Sequence, residues 1–220
     1  MSILKTKRLI LVRHGETAWN AQGRIQGMLD VPLNELGFQQ ARVVGDELAR
    51  SIDVACIVCS DLVRTRETAQ PLVDATGFAI TFDARLRERH FGVLEGITYD
   101  EWRARDAEGM ARYSAGEADY GPEGGETARA FLARCVNAIT DLVMASNEKT
   151  LILVTHGGVV SSMYRHSQGL EFHSQRTWGV PNASISEWRV ECKDLQPTFY
   201  CERIGHAAHL EEPALDEIDK

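Results

Sequence analysis

Three short runs of uninterrupted apolar residues constrain what this chain can fold into: Leu9-Ile10-Leu11-Val12, Val54 to Cys59, and Leu151-Ile152-Leu153-Val154. A strand with one wet face alternates apolar and polar residues. A run that is apolar throughout is buried on both faces, as in a parallel sheet covered by helices. Helical patterns lie between the runs. Leu36, Ala41, Val44, Leu48 and Ile52 share one face before the second run, and Phe131, Cys135, Ile139 and Leu142 share one before the third. Ala79 to Phe82 reads as a further short strand. Strand and helix in alternation predict an α/β layered domain. A chain of 220 residues holds one such core and is short for two. The expected architecture is a single-domain, mostly parallel sheet with helices on both faces, spanning residues 1–205, followed by an acidic, apolar-poor tail over 206–220, partly disordered. The Gly-rich, charged stretch near 97–125 is expected to be an inserted loop or lid.

Charge and cysteine usage exclude several classes of function. The net charge is −8, and a protein that grips nucleic-acid backbones needs an excess of Lys and Arg. A small phosphorylated metabolite stays open as a ligand, because a local group of arginines can hold it on an acidic background. No segment reaches the roughly 20 apolar residues needed to cross a bilayer. Met1 to Arg8 is charged and lacks a following apolar region with a cleavage site, so no secretory signal and no membrane partner are expected. The five cysteines are odd in number and scattered. Cys56 and Cys59 form a C-x-x-C inside an apolar run, where alternation sends residues three apart to opposite faces, and no further ligand sits nearby. Neither a metal nor a redox site is expected, and free thiols fit a reducing cytoplasm.

In sheets of this class ligands sit beyond the carboxyl ends of the strands, and the unusual residues fall there. The first run ends in Arg13-His14-Gly15-Glu16, the second in Ser60-Asp61-Leu62, and the third in Thr155-His156-Gly157-Gly158. A lone His is more often structural than catalytic. Two strand ends that each offer His followed by Gly, where the backbone can turn sharply and approach a ligand, are a different matter. The segment from Ser60 opens a helix, with Ser60 or Asp61 as N-cap and Arg64 in the first turn, placed to bind a phosphate bidentately. Arg66 reads as a solvated partner of Asp61 or Glu67. Glu88, amid Arg87, Arg89 and His90, reads either as a salt-bridged surface acid or as a proton donor facing a bound phosphate, whose like charge would raise its pKa.

These blocks together resemble the histidine phosphatase, or cofactor-dependent phosphoglycerate mutase-like, superfamily. The resemblance rests on Arg13-His14-Gly15-Glu16-Thr17, Asn20, Arg24-Ile25-Gln26-Gly27, Ser60-Asp61-Leu62, Arg64, Leu86-Arg87-Glu88, Gly124-Gly125-Glu126, Thr155-His156-Gly157-Gly158 and Asn182-Ala183-Ser184-Ile185, in family order to about residue 190. It implies that His14 is a nucleophile forming a phosphohistidine, that Arg13, Arg64 and His156 surround the phosphoryl oxygens, and that Asn20, Gln26 and the Gly157 N–H add contacts. Glu88 takes the position of the family's proton donor to the leaving oxygen, and no metal or cofactor is implied. Glu16 and Ser60 are expected to support the site and Arg89 and His90 to line its mouth. Trp19 and Trp102 read as core or pocket wall, and His166, His173, His206 and His209 as solvent-facing or structural.

Within the family the resemblance favours a phosphatase. Mutases carry a Lys shortly after the Glu-Arg-His segment and an adjacent Arg pair in a longer insertion. Here Gly96 to Glu101 holds no Lys, and Arg103, Arg105 and Arg112 stand singly. Phe91-Gly92-Val93-Leu94-Glu95-Gly96 also looks like the phosphatase branch, whereas Glu88-Arg89-His90-Phe91-Gly92 departs from it toward the mutases. A phosphoglycerate mutase is therefore the alternative, and a non-catalytic phospho-ligand binding module a second one. Apolar positions after Gly179 leave open a homodimer or completion of the sheet.

Overall fold

A computed structural model describes residues 5–53, 55–193, 196–210 and 216. Its six strands form one sheet, β1 (Lys5–Arg13), β2 (Cys56–Cys59), β3 (Ile80–Phe82), β4 (Thr150–Thr155), β5 (Ile185–Lys193) and β6 (Gln196–His206), in the order β3-β2-β4-β1-β5-β6. β1 to β4 run parallel, and β5 and β6 complete the sheet as an antiparallel hairpin. The expected fold class is thus observed, with helices α1 (Ala18–Ala21), α2 (Glu35–Ser51), α3 (Val63–Thr76), α4 (Tyr99–Arg105), α5 (Ala107–Ser114), α6 (Ala128–Ala145) and α7 (Gly157–Gln168). None of the described helices is long and apolar enough to cross a membrane.

The continuous apolar runs feed two cores at once. Leu9, Leu11, Leu151 and Leu153 point into one cluster with Phe131, Ile139 and Met163 of α6 and α7. Their neighbours Ile10, Val12, Ile152 and Val154 point the other way, against Val44, Leu48 and Leu72 of α2 and α3. All eight are sealed from water, each stabilising the fold by about 1.5–3 kcal/mol in transfer terms. Cys56 and Cys59 divide in the same way, one packed against each cluster, and all five cysteines are free thiols.

β1 pairs with β4 from Arg8↔Thr150 through Arg13↔Thr155. This register brings the two strand-end histidines side by side, and the His14 N–H donates to Thr155 O at 2.9 Å.

Three boundaries differ from expectation. β2 begins at Cys56, with Val54 outside the described residues, and the third short strand begins at Ile80. The 97–125 segment, expected as an inserted loop or lid, carries α4 and α5 as a cap. α4 and α5 pack with Ile25, Phe91 and Leu94 around the fully buried Trp102. The division at residue 205 does not follow the structure. β6 runs through His206, Leu210 packs against the second core cluster, and Asp216 is buried. The remainder of the 206–220 tail expected to be partly disordered, 211–215 and 217–220, lies outside the described residues.

Candidate active site

His14 leaves β1 into a loop whose backbone is clamped from two sides. Its carbonyl accepts hydrogen bonds from the Asn182 side chain and from the Ala183 N–H, both at 3.1 Å. Gly15 lies so close to α2 that a Cβ there would stand 2.6 Å from the Gly37 carbonyl. The His14 Nδ1 lies 2.7 Å from the Gly15 carbonyl oxygen. A carbonyl only accepts, so Nδ1 carries the proton and Nε2 keeps its lone pair. Burial holds the pKa of His14 well below the ordinary histidine value. The Arg64 and Arg13 guanidinium groups push it further down, against a smaller opposing effect of the Gly15 carbonyl. The ring is therefore neutral at physiological pH, the form a nucleophile requires.

Two buried arginines provide the positive charge. Arg13 donates from Nη1 to Val180 O at 2.6 Å. Arg64 donates to Leu29 O and Gly27 O, both at 2.8 Å, which fixes its fork beside His14. Arg64 sits in the first turn of α3 as expected, but neither Ser60 nor Asp61 caps that helix. The N-cap is Leu62, without a side-chain cap, and the Val63 N–H is taken by Asp30 Oδ1 at 2.6 Å. Ser60 serves the site directly, with Oγ 2.9 Å from His156 Nε2. The Asp61 carboxylate receives both arms of Arg87, at 2.7 and 2.6 Å. Arg66 accordingly pairs with neither expected acid. It donates to the Asp61 backbone carbonyl and lies over the Phe82 ring.

His156 is fully buried, its ring 5.3 Å from that of His14. Burial, Arg64, His14 and Arg13 together hold it well below the usual pKa. It precedes α7, whose N-terminal N–H groups need acceptors. Glu88 supplies one, its Oε2 accepting from Gly158 N at 2.9 Å while Oε1 accepts from Arg89 N at 2.8 Å. A Cβ on Gly158 would lie 2.2 Å from Glu88 Oε1, and one on Gly157 would lie 3.3 Å from Arg13 Nε. A side chain at Gly158 would displace the Glu88 carboxylate, and one at Gly157 would make Arg13 give by a few tenths of an ångström.

Thr17 organises the remaining donors. Its hydroxyl lies 3.0 Å from Asn20 Oδ1 and 2.9 Å from Gln26 Oε1. With its amide oxygen spent on Thr17, Gln26 has N–H donors to offer an anion, and Asn20 lines the same cleft. Glu16 supports the loop from outside by accepting from Asn34 Nδ2 at 2.7 Å.

One cleft gathers these groups. His14, Asn20, Gln26, Arg64 and Glu88 line it together, with walls that include Phe91, Tyr99, Tyr113, Phe131, Leu132 and Phe172. Arg13 and His156 are buried beside His14, immediately behind the residues that line the cleft, as is the Gly157 backbone. Arg89 reaches it, whereas His90 turns away toward Glu95, so the expectation for His90 fails. Trp19 is half-buried, and His166, His173, His206 and His209 lie off the cleft. The sequence reading missed Arg134, which donates to Glu126 and to the backbone carbonyls of Arg85, Arg87 and Glu88, holding the acid's segment in place. It also missed the aromatic walls and Asp216. Arg134 carried one signal, a cation beside Cys135 on the apolar face of α6. Among the described residues no group of three or more His, Cys, Asp or Glu side chains is placed to hold a metal ion.

The geometry has counterparts among known proteins. Residues 9–200 match the profile of the histidine phosphatase superfamily, branch 1. A protein of Citrobacter koseri named "Probable phosphoglycerate mutase GpmB" is 38% identical over 216 residues, covering 97% of this chain and 99% of that protein. A mycobacterial glucosyl-3-phosphoglycerate phosphatase in complex with VO3 superposes with a TM-score of 0.80 at 30% identity, covering 91% of this chain and all of that one. Bacillus stearothermophilus YhfR superposes with a TM-score of 0.82 at 31% identity, covering 92% of this chain and 98% of that one. With the matched profile running from the first core strand to the last, the chain belongs to the histidine phosphatase superfamily.

Proposed function

We propose that this protein is a phosphatase that hydrolyses a phosphomonoester of a small metabolite through a phosphohistidine on His14, without a metal. The observation that carries the reading is the His14 ring with Nδ1 committed to the Gly15 carbonyl, which leaves the lone pair on Nε2, beside two buried guanidinium groups and in a cleft shared with Arg64 and Glu88. In the first step His14 Nε2 attacks phosphorus and the P–O bond to the leaving group breaks. Glu88 gives its proton to the departing oxygen. In the second, Glu88 takes a proton from water, the water oxygen attacks phosphorus, the P–N bond breaks and inorganic phosphate leaves. Arg13 and Arg64, with the donors of Asn20 and Gln26, stabilise charge on the phosphoryl oxygens, which is most of what such a reaction asks of a protein. The proposed setting is the cytoplasm, in keeping with five free thiols.

Hydrolysis is favoured over a mutase reaction by what surrounds the phosphate site. A mutase must hold the substrate's second anionic group and exclude water. Arg24, Arg89 and Arg165 reach the cleft from three separate places in the chain rather than as an adjacent pair, each anchored on backbone carbonyls, of Gly96, of Tyr120 and Glu126, and of Glu171 and Ser174. Arg103 and Arg112 pair with Asp100 and Glu117, off the cleft. Five aromatic side chains, Phe91, Tyr99, Tyr113, Phe131 and Phe172, stand in the cleft's walls and offer an apolar leaving group a surface that a small diacid would not use. The mutase remains the second reading, because Arg89 does reach the cleft and the GpmB relatives carry that name.

The deciding experiment follows phosphate from 3-phosphoglycerate, with and without 2,3-bisphosphoglycerate, beside p-nitrophenyl phosphate and a panel of metabolite phosphates, using wild type and His14→Ala without added metal. Release of inorganic phosphate that vanishes in His14→Ala is the expected result. Bisphosphate-stimulated formation of 2-phosphoglycerate with little free phosphate would establish the mutase instead. Silence from a folded protein on every substrate would point to a binding module.

A further inference from the structure

Arg13 is held by a residue from the far end of the chain. Its Nη1 donates to Val180 O at 2.6 Å and lies 3.6 Å from Asp216 Oδ1. The same peptide closes the arrangement, because the Val180 N–H donates to Asp216 Oδ2 at 2.7 Å. Arg176 adds a second cation, its Nη2 at 3.1 and 3.2 Å from the two carboxylate oxygens. The Asp216 side chain is only 7% exposed. A buried carboxylate with these partners is costly to remove and geometrically well defined. The backbone is shaped to admit it: a Cβ on Gly179 would approach Oδ2 to 3.1 Å, and Gly205, in a left-handed conformation, leaves no room for a Cβ beside the Gly179 carbonyl.

A second contact follows the same route. His209 Nε2 lies 3.0 Å from Ala183 O, and Ala183 is the residue whose N–H holds the His14 carbonyl. Ala183 adopts φ 55°, a backbone that an L residue keeps only where its surroundings impose it. The residues after β6 therefore touch the 180–183 turn at both of its ends, and that turn carries hydrogen bonds to both Arg13 and His14.

We propose that Asp216 is a positioning residue for Arg13, fixing its guanidinium at the phosphoryl site through a direct ion pair and through the Val180 peptide, so that a side chain remote in sequence is a working part of the active site. The inference rests on the reading of Arg13 as a phosphate-binding group. A guanidinium must sit within a fraction of an ångström of its place to stabilise a transition state, and losing that constraint costs rate more than binding of the ground state.

The test is a double-mutant cycle of Asp216→Ala and Arg13→Ala, read by hydrolysis of p-nitrophenyl phosphate and, in parallel, by calorimetric binding of orthovanadate. Asp216→Asn is included because it keeps size and an acceptor for the Val180 N–H while removing the charge, so a folded variant is available should the alanine form collapse. Expected for Asp216→Ala is a fall in kcat of about 10- to 100-fold with KM changed little, and weaker vanadate binding. Asp216→Asn should fall between it and wild type. In the Arg13→Ala background neither change at Asp216 should have a further effect. Equal losses in both backgrounds, or unchanged kcat and vanadate affinity with Arg13 present, would overturn the proposal. A wild-type protein that binds vanadate but hydrolyses no ester would sink the phosphatase reading alone, since the vanadate cycle still decides the role of Asp216. A wild type that neither binds vanadate nor hydrolyses any ester would overturn both.

Discussion

His14 Nδ1 is committed to the carbonyl oxygen of its own neighbour, Gly15, at 2.7 Å. A single short backbone contact thus decides which nitrogen of the nucleophile is available, and burial, reinforced by the two arginines beside it, keeps the ring uncharged. Activity should accordingly not fall as pH is lowered from 7 to 6, since there is little imidazolium to form. A kcat/KM profile that drops with an apparent pKa near the ordinary 6.5 of histidine would contradict this. His14→Asn should leave no turnover.

The same depressed pKa values predict acid lability. In the unfolded chain His14 and His156 take up protons below about pH 6.5, and in the folded protein they do so only well below that. The unfolded state then binds more protons, so stability is unaffected above pH 6.5 and falls as pH drops beneath it, by up to about 1.4 kcal/mol per pH unit for each such histidine. His166 and His209, also depressed by burial, act in the same direction. Urea midpoints measured from pH 7.5 to 5 should decline, and His14→Asn should flatten the slope.

Gly158→Ala should separate catalysis from folding. Its Cβ would occupy the place of a Glu88 carboxylate oxygen, 2.2 Å away, and must drive the proton donor aside. A loss of about 100-fold in kcat is expected. Gly169→Ala is the control: that glycine ends α7 with φ 62° and open space around it. It should cost about 1 kcal/mol of stability and leave kcat alone.

Arg134→Met removes the fork that ties Glu126 to the backbone of residues 85, 87 and 88. The half-buried Glu126 loses its partner, so a stability loss of about 2 kcal/mol is expected. Activity should fall with it, because the Glu88 segment loses its anchor. Urea denaturation and steady-state kinetics on the same preparation check both. Unchanged kcat in a destabilised protein would show that the contacts of Glu88 with Gly158 and Arg89 suffice.

What the sequence disclosed follows from range. The double-sided burial of Leu9 to Val12 and Leu151 to Val154 is a local signature, so the sheet, and the meeting of His14 and His156 at the carboxyl ends of its central strands, could be read from short runs. Partnerships across long separations leave no such trace. Ser60 and Asp61 had the chemistry of a helix cap, yet Asp30, from a remote loop, took the Val63 N–H and freed both for other partners. His90 stands two residues from Glu88, but the turn through Phe91 aims it at Glu95. The tail looked like a solvated acidic run because the composition around Asp216 outweighs the side chains of Leu210 and Asp216 that go inside.

The β1–β4 register carries a consequence for how the enzyme comes into being. Leu9 and Leu151 are partners although nearly the whole α/β core lies between them in the chain. Closing so long a loop is slow, and it precedes any reward from the contact. A slip of one residue would exchange the two cores, so the pairing tolerates no near miss. The nucleophile loop and its partner histidine are therefore assembled in one event, and a refolding chain should regain activity in step with this central pairing rather than with the earlier growth of helices.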